Sequence, residues 1–229
     1  MIRLVNVSKH YPSGNKALQH VSLEFPAGSF TFLVGPSGSG KSTLVRLLMR
    51  EELASEGEIW VFDKNIEKLN RHEVPILRQK IGVVFQDFKL LPQKSVWENV
   101  AFTLEILGVS KAEQHKRIQG VLELTNLLHL KDLYPRQLSG GEQQRTSVAR
   151  AIVNKPPMLL ADEPTGNLDP DASWDILKLL AKIGKTGTTV IVSTHNYSIV
   201  DRMKRRTIKL DNGQVLADIP EGAWPHGSR

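Results

Sequence analysis

The sequence predicts an α/β fold with a mostly parallel core sheet, an N-terminal antiparallel β region and a helical subdomain. Three observations carry this expectation. Short, continuously apolar runs recur at FTFLV (30–34), IGVVF (81–85), MLLA (158–161) and TVIVS (189–193), as in strands covered on both faces. The opening segments instead alternate apolar and polar residues. The stretch from 88 to 156 reads as mostly helical.

Taken in order, IRLVNV (2–7) and VSLEF (21–25) are half-buried strands separated by the turn cluster Pro12-Ser13-Gly14-Asn15. FTFLV enters a glycine-rich loop, and the helical run TLVRLLMR leaves it. VWENVAFTLEILG (96–108) carries Val96, Val100, Phe102, Leu104 and Leu107, an amphipathic pattern that stops at Gly108. AEQHKRIQGVLELTNLL (112–128) is a second helix, with Ile118, Val121, Leu122 and Leu124 towards one side. Ser110, with Glu113 three residues on, is its expected capping box. A third helix opens at Ser139 and runs through GEQQRTSVARAIVN to the stop at Pro156-Pro157. The basic run Arg202–Arg206 reads as a helix end, where cations meet the negative pole, before TIKL. PEGAWPHGSR has turn composition and reads as a loose tail. The expected organisation is one domain over 1–229, with a core lobe of 1–86 and 158–219, a helical lobe of 87–157, and a tail of 220–229.

A chain of 229 residues suffices for one substantial core or two joined lobes. With 40% apolar and 24% charged residues, its composition is that of a soluble globular protein. It has no cysteine, which excludes disulfides and thiolate metal sites. No apolar run approaches the roughly 18–20 residues needed to span a bilayer. The start, MIRLVNVSKHYPSGNK, is unlike a secretory signal, so the expected home is the cytoplasm. The net charge of +6 fits nucleic acid, anionic lipid or a nucleotide as partner, and equally a merely solvated basic surface.

Gly35-Pro36-Ser37-Gly38-Ser39-Gly40-Lys41-Ser42, followed by Thr43, fits GxxxxGK[ST] in the required strand–loop–helix context. Glycines let successive N–H groups turn inward onto phosphate oxygens. Lys41 supplies a point charge to the outer phosphates, and the Ser42 hydroxyl is placed for Mg²⁺. This predicts binding of a nucleoside triphosphate. Met158–Glu163 is an apolar strand ending in two carboxylates. Asp162 would support Mg²⁺ directly or through water, and Glu163 would polarise a water beside the γ-phosphate. The polar, glycine-rich helix start at LSGGEQQR (138–145) is a second anion site. One nucleotide does not need two cradles, so the second is expected to serve ATP held by another chain.

With these motifs in this order, the chain resembles the nucleotide-binding domain of ABC ATPases along nearly its whole length. The resemblance implies a P-loop NTPase fold of that type. It also implies that Tyr11 stacks on adenine, although an aromatic there is equally a packing residue. Gln86 matches the Q-loop glutamine, which senses the γ-phosphate and Mg²⁺. Ser139, Gly140, Gly141 and Glu142 match the signature motif facing the ATP of the opposing subunit, with Glu142 where Gln is frequent. Asp169 in NLDP (167–170) matches the D-loop, and His195 matches the switch histidine. Two subunits then sandwich two ATPs head to tail.

The stretches 74–102, 139–154 and 159–170 are most similar to the cell-division branch of the family. Members of that branch are ATPases on the cytoplasmic face of the membrane, bound to an FtsX-like polytopic protein, and control cell-wall hydrolases. The last stretch is shared with lipoprotein-release and macrolide-type exporters, which form the alternative. FKLLPQKSVWENV beside Gln86 is the implied docking segment, and Leu90, Leu91 and Trp97 serve either docking or the core. A third reading, an ATPase acting on nucleic acid, is disfavoured. Only 97 positions separate Ser42 from Ser139, leaving no room for a long coiled coil, and the chain has one P-loop.

Overall fold

Side chains point alternately to opposite faces along a strand, so each apolar run of this chain feeds two cores at once. The computed structural model describes residues 1–222. Its first half comprises β1 (Ile2–His10), β2 (Lys16–Phe25), β3 (Phe30–Val34), α1 (Lys41–Leu48), β4 (Glu56–Val61), β5 (Lys64–Asn65), α2 (Glu73–Arg78) and β6 (Ile81–Phe85). Three helices follow, α3 (Val96–Ile106), α4 (Lys111–Leu124) and α5 (Gly140–Ile152). The remainder is β7 (Met158–Asp162), α6 (Pro170–Gly184), β8 (Thr189–Thr194), α7 (Tyr197–Met203), β9 (Arg206–Asp211) and β10 (Gln214–Ile219).

Six strands form one sheet in the order β10-β9-β3-β8-β7-β6, parallel except for the β9–β10 hairpin. The other sheet, β2-β1-β4-β5, is antiparallel. Phe30, Phe32, Val34, Leu159, Ala161, Val190 and Val192 pack with the buried faces of α3 to α6. Leu33, Leu160, Ile191 and Ile208 pack on the other side with α1 and the antiparallel sheet. A sheet covered on both faces accounts for the uninterrupted apolar runs. Phe25 and Phe32 are fully buried, each a burial worth about 2–3 kcal/mol.

The helices depart from the sequence expectation in instructive places. In α3, Val96, Val100 and Leu104 are buried, but Phe102 is 37% exposed because it lies off that stripe. The helix stops at Ile106, and Gly108 follows with a φ of 67°. Ser110 does precede α4, but its side chain makes no cap. Glu113 turns instead to Arg117 Nε at 2.7 Å, an i,i+4 pair that removes the expected capping box. α4 ends at Leu124 rather than 128. There the Thr125 hydroxyl donates to the Val121 carbonyl at 2.8 Å, and Asn126 turns left-handed at φ 54°. α5 ends at Ile152, before the prolines.

The basic run divides. Arg202 lies in the last turn of α7, and its guanidinium lies 3.9 Å from the centre of the Trp174 ring. Arg205 and Arg206 pair with Glu221 and Asp218, so the helix dipole accounts only for the first part. Of the expected tail, Glu221 and Gly222 form a turn, and 223–229 lie outside the described residues.

Gly82, in β6, sits where α5 comes closest to the sheet: a Cβ there would lie 2.6 Å from the Ala151 carbonyl oxygen and 2.9 Å from Leu159 Cδ1. Gly82→Ala is expected to lower stability by about 1–3 kcal/mol by forcing the helix off the strand. Urea denaturation is the measurement, and an unchanged midpoint would show that the contact yields freely.

Candidate functional site

Parallel register brings four strand ends to one edge. Val34 pairs with Thr194, Asp162 with Ser193, and Phe85 with Asp162. The loops leaving these ends carry Gly35, His195, Glu163 and Gln86, in the crevice where open α/β sheets bind ligands.

The cradle is the loop between β3 and α1. A Cβ on Gly35 (φ 155°) would lie 2.1 Å from the Leu210 carbonyl oxygen, and one on Gly40 (φ 104°) 2.5 Å from that of Ala17. Backbone from β9 and β2 thus leaves room only for glycine. Pro36 and Ser37 are exposed, whereas Ser39 is buried. Lys41 Nζ, on a side chain 6% exposed, donates to the Gly35 and Pro36 carbonyls at 2.8 and 3.0 Å. A cavity of about 490 Å³ is lined by Ser37, Gly38, Gly40, Lys41, Ser42, Thr43, Gln86, Glu163 and His195, with Asn15 and Ala17. Tyr11 stands beside this lining. Its hydroxyl donates to Glu52 Oε1 at 2.9 Å and lies 3.4 Å from Thr43 Oγ1.

Asp162 Oδ1 accepts hydrogen bonds from the hydroxyls of Ser42, at 3.2 Å, and Ser193. Glu163 has a left-handed φ of 48°, which costs a non-glycine residue roughly 1–2 kcal/mol. Its N–H donates to Ser193 Oγ at 3.0 Å and to the Ser193 carbonyl at 3.2 Å. The turn aims the carboxylate back over the cradle. Oε1 lies 3.8 Å from Lys41 Nζ and Oε2 2.9 Å from His195 Nδ1. The carboxylate is 17% exposed and the imidazole 65%, so Glu163 sits between a sheltered cation and an exposed ring. No group of three His or acidic residues among the described residues suits a metal alone. Ser42 and Asp162 offer adjacent oxygen donors, the kind Mg²⁺ uses when phosphates and water complete its shell. Gln86 is tied to the NLDP segment: its Nε2 donates to Asn167 Oδ1 at 3.2 Å, and Asn167 Nδ2 to the Gln86 carbonyl at 3.1 Å.

Ser139 to Glu142 do not line the cradle cavity. Ser139 caps α5 in a full capping box: Glu142 N–H donates to Ser139 Oγ at 3.3 Å, and Ser139 N–H to Glu142 Oε2 at 2.7 Å. The Ser139 hydroxyl also donates to that oxygen, at 2.8 Å. These hydrogen bonds, with smaller help from Arg145 and His129, hold the Glu142 carboxyl below its ordinary range. A Cβ on Gly141 would meet Ala172 Cβ at 3.2 Å, so α5 opens directly against α6. Asp169 caps α6, its Oδ1 accepting from Ala172 N–H at 2.9 Å.

Four residues that hold this arrangement were not singled out from the sequence. Ser193 bridges the two strand-end acids. Gln144, fully buried, donates to the Phe85 and Pro164 carbonyls at 3.1 and 2.6 Å. Arg150 donates to the Lys89 and Phe88 carbonyls at 2.6 and 3.0 Å, stabilising two consecutive left-handed residues. Burial lowers the pKa of its guanidinium. Asn99, fully buried, receives Leu91 N–H at 2.8 Å and donates to the carbonyls of Leu91, Lys94 and Ser95. A buried Gln or Asn within a helical pattern was the available signal.

Residues 18–166 match the family described as ABC transporter, and the chain belongs to that family, as one of its ATPases. It is similar to the Cell division ATP-binding protein FtsE of Bacillus subtilis, 49% identical over 98% of each chain. The FtsE of Mycobacterium tuberculosis is 48% identical, also over 98% of each. Among solved structures, it resembles a dimeric ATP-binding cassette in a post-hydrolysis state bound to ADP and Pi. The TM-score is 0.86 at 37% identity, covering 96% of this chain and 98% of that one.

Because the folded-state pKa of Glu142 is lowered, its contribution to stability is present above the ordinary Glu value and lost as pH falls through the lowered one. Glu142→Ala is expected to cost about 0.5–1 kcal/mol at neutral pH. That cost should vanish in acid. Urea midpoints of both proteins across pH test this, and a difference that persists in acid would contradict it.

Proposed function

We propose that the chain is the ATP-hydrolysing subunit of a cell-division membrane complex, paired with a polytopic FtsX-like protein at the cytoplasmic face of the membrane. In this role ATP turnover is relayed across the membrane to control cell-wall hydrolases. The observation that carries the reading is identity of 45–49% to FtsE proteins of several bacteria over nearly the whole chain. The meeting of Lys41, Ser42, Glu163 and His195 at one cavity supports the chemistry.

The backbone N–H groups that the Gly35–Thr43 loop offers, those other than at Pro36, hold the phosphates of ATP, and Tyr11 stacks on its adenine. Lys41 exchanges its two loop carbonyls for phosphate oxygens. Ser42, Asp162 and Gln86 would hold Mg²⁺, which would supply positive charge to the phosphates. Glu163 takes a proton from the attacking water, giving ADP and phosphate, and general-base help of this kind is worth about 10²–10⁴ in rate. His195 orients the Glu163 carboxylate from the exposed side.

Closure needs a second copy. Ser139, Gly140, Gly141 and Glu142 of one chain face the ATP held by the other, with Asp169 at the seam. That the similar ADP- and Pi-bound cassette is dimeric supports this arrangement. No helix among the described residues is long and apolar enough to cross a membrane, which fits attachment through a partner. Half-buried Phe88, Leu90, Leu91 and Trp97 offer the docking surface.

Glu163→Gln should bind ATP, hydrolyse it about 10²-fold or more slowly, and elute as a dimer in ATP. Adding Ser139→Arg should return it to monomer while ATP still binds; a dimer in the double variant would refute the two-chain site. For the cellular role, the test is which polytopic protein co-purifies from membranes. An FtsX-like partner is expected, and a lipoprotein-release permease in its place would overturn the assignment.

A further inference from the structure

A larger cavity, of about 700 Å³, opens at the opposite end of the sheet from the cradle. Pro156, Pro157 and Thr188 line it, immediately before the first residues of β7 and β8, whereas Asp162 and Thr194 stand at their far ends. Its floor is apolar, built from Val121 of α4, Ile152 of α5 and Ile183 of α6. Its rim is cationic. Lys116 comes from α4, Lys155 from the turn after α5, and Lys182 from the last turn of α6, all three exposed.

The one carboxylate in the lining, Glu113, is paired with Arg117 at 2.7 Å. That bond lowers its pKa, with smaller contributions from the charges of Lys116 and Lys155. Among the described residues, none of the three lysines has an acidic partner of its own within ion-pair distance. A volume of this size lies within the range of small-molecule sites, roughly 300–1,000 Å³.

We propose that this cavity binds a small anionic amphiphile, a single acyl chain ending in an acidic head, with the chain over Val121, Ile152 and Ile183 and the head among Lys116, Lys155 and Lys182. Apart from Thr186 and Thr188, the lining side chains are apolar or charged. They suit a hydrocarbon body and an anion better than the repeating amide groups of a peptide. A ligand here touches α4 and α6 together, so it ties the helical layer to the sheet and raises the melting temperature by linkage.

Decanoate is the probe, titrated calorimetrically into the full chain saturated with ADP so that the cradle is occupied. One saturable site per chain is expected, with a raised melting temperature; acetate and decanol should each bind at least about tenfold more weakly. Replacing Lys116, Lys155 and Lys182 together with Gln should weaken decanoate by about tenfold, since three partly exposed ion contacts sum to roughly one decade.

Gly120→Leu supplies a steric test. A Cβ at Gly120 meets nothing within 4 Å, and leucine is the better helix former, so the variant should fold, keep its ATPase rate and lose decanoate. The proposal falls if decanoate does not saturate, if neither variant changes its binding, or if decanol matches it. It also falls if a glutamate-rich peptide binds the parent but not Gly120→Leu while decanoate does not bind.

Discussion

The chemistry of this chain rests on the parallel register of β3, β8, β7 and β6. With Val34 beside Thr194, and Asp162 beside both Ser193 and Phe85, a shift of one residue in any strand would separate groups that must meet. It would also exchange the two buried faces, moving Leu160 and Ile191 into the space of Leu159 and Val190. The two cores therefore police the register, and the register places the polar ends. Burial of Phe32 and Leu33, on opposite faces, fixes where Ser42 finds Asp162.

A second layer of constraint runs through α5. Gln144 reaches the carbonyls of Phe85 and Pro164, one residue before Gln86 and one after Glu163. Two turns further on, Arg150 clasps Phe88 and Lys89. The helix whose first residues are the proposed second anion site is thus bonded to the backbone next to Gln86 and Glu163. All but the Arg150–Lys89 bond are buried or partly buried, where an unpaired donor costs about 1–3 kcal/mol. Motion of α5 must carry the Gln86 segment with it or leave those donors without partners.

The buried strands were legible because two-sided burial writes itself as continuous apolar sequence, and the cradle because GPSGSGKS admits few other structures. Mixed burial was legible where apolar and polar residues alternate, as in β1 and β2, and was missed where the apolar positions are few. EGEIWV, which became β4, buries only Ile59 and Val61. α6 carries a readable start in Asp169-Pro170, a cap followed by proline at the first helical position, within the same NLDP that matches a loop motif. Ser-x-x-Glu occurs at Ser95, Ser110 and Ser139 alike; the box forms at the first and third, whereas at Ser110 Arg117 diverts the glutamate. Spacing alone does not register a competing cation. Nor does it show that Glu163 turns left-handed, which brings its carboxylate between Lys41 and His195.

The two anion sites are unequal in the structure, and that inequality orders the events of the proposed cycle. In the cradle, Lys41 is the charge: its hydrogen-bond partners are two neutral carbonyls, with the Glu163 carboxylate farther off at 3.8 Å, so a phosphate replaces the carbonyls at an electrostatic gain. At the start of α5, the Ser139 N–H and hydroxyl already hold a carboxylate, that of Glu142. A phosphate approaching there meets a like charge that occupies part of the helix's positive pole. A nucleotide free in solution therefore enters the cradle first, and the second contact forms only when the cradle delivers its phosphates at high local concentration. Loss of the γ-phosphate by hydrolysis removes the charge that made the second contact worthwhile, while Glu142 remains to satisfy the helix. In the proposed cycle the capping box would make the association of two chains depend on intact ATP, and it would leave α5 stable when they part.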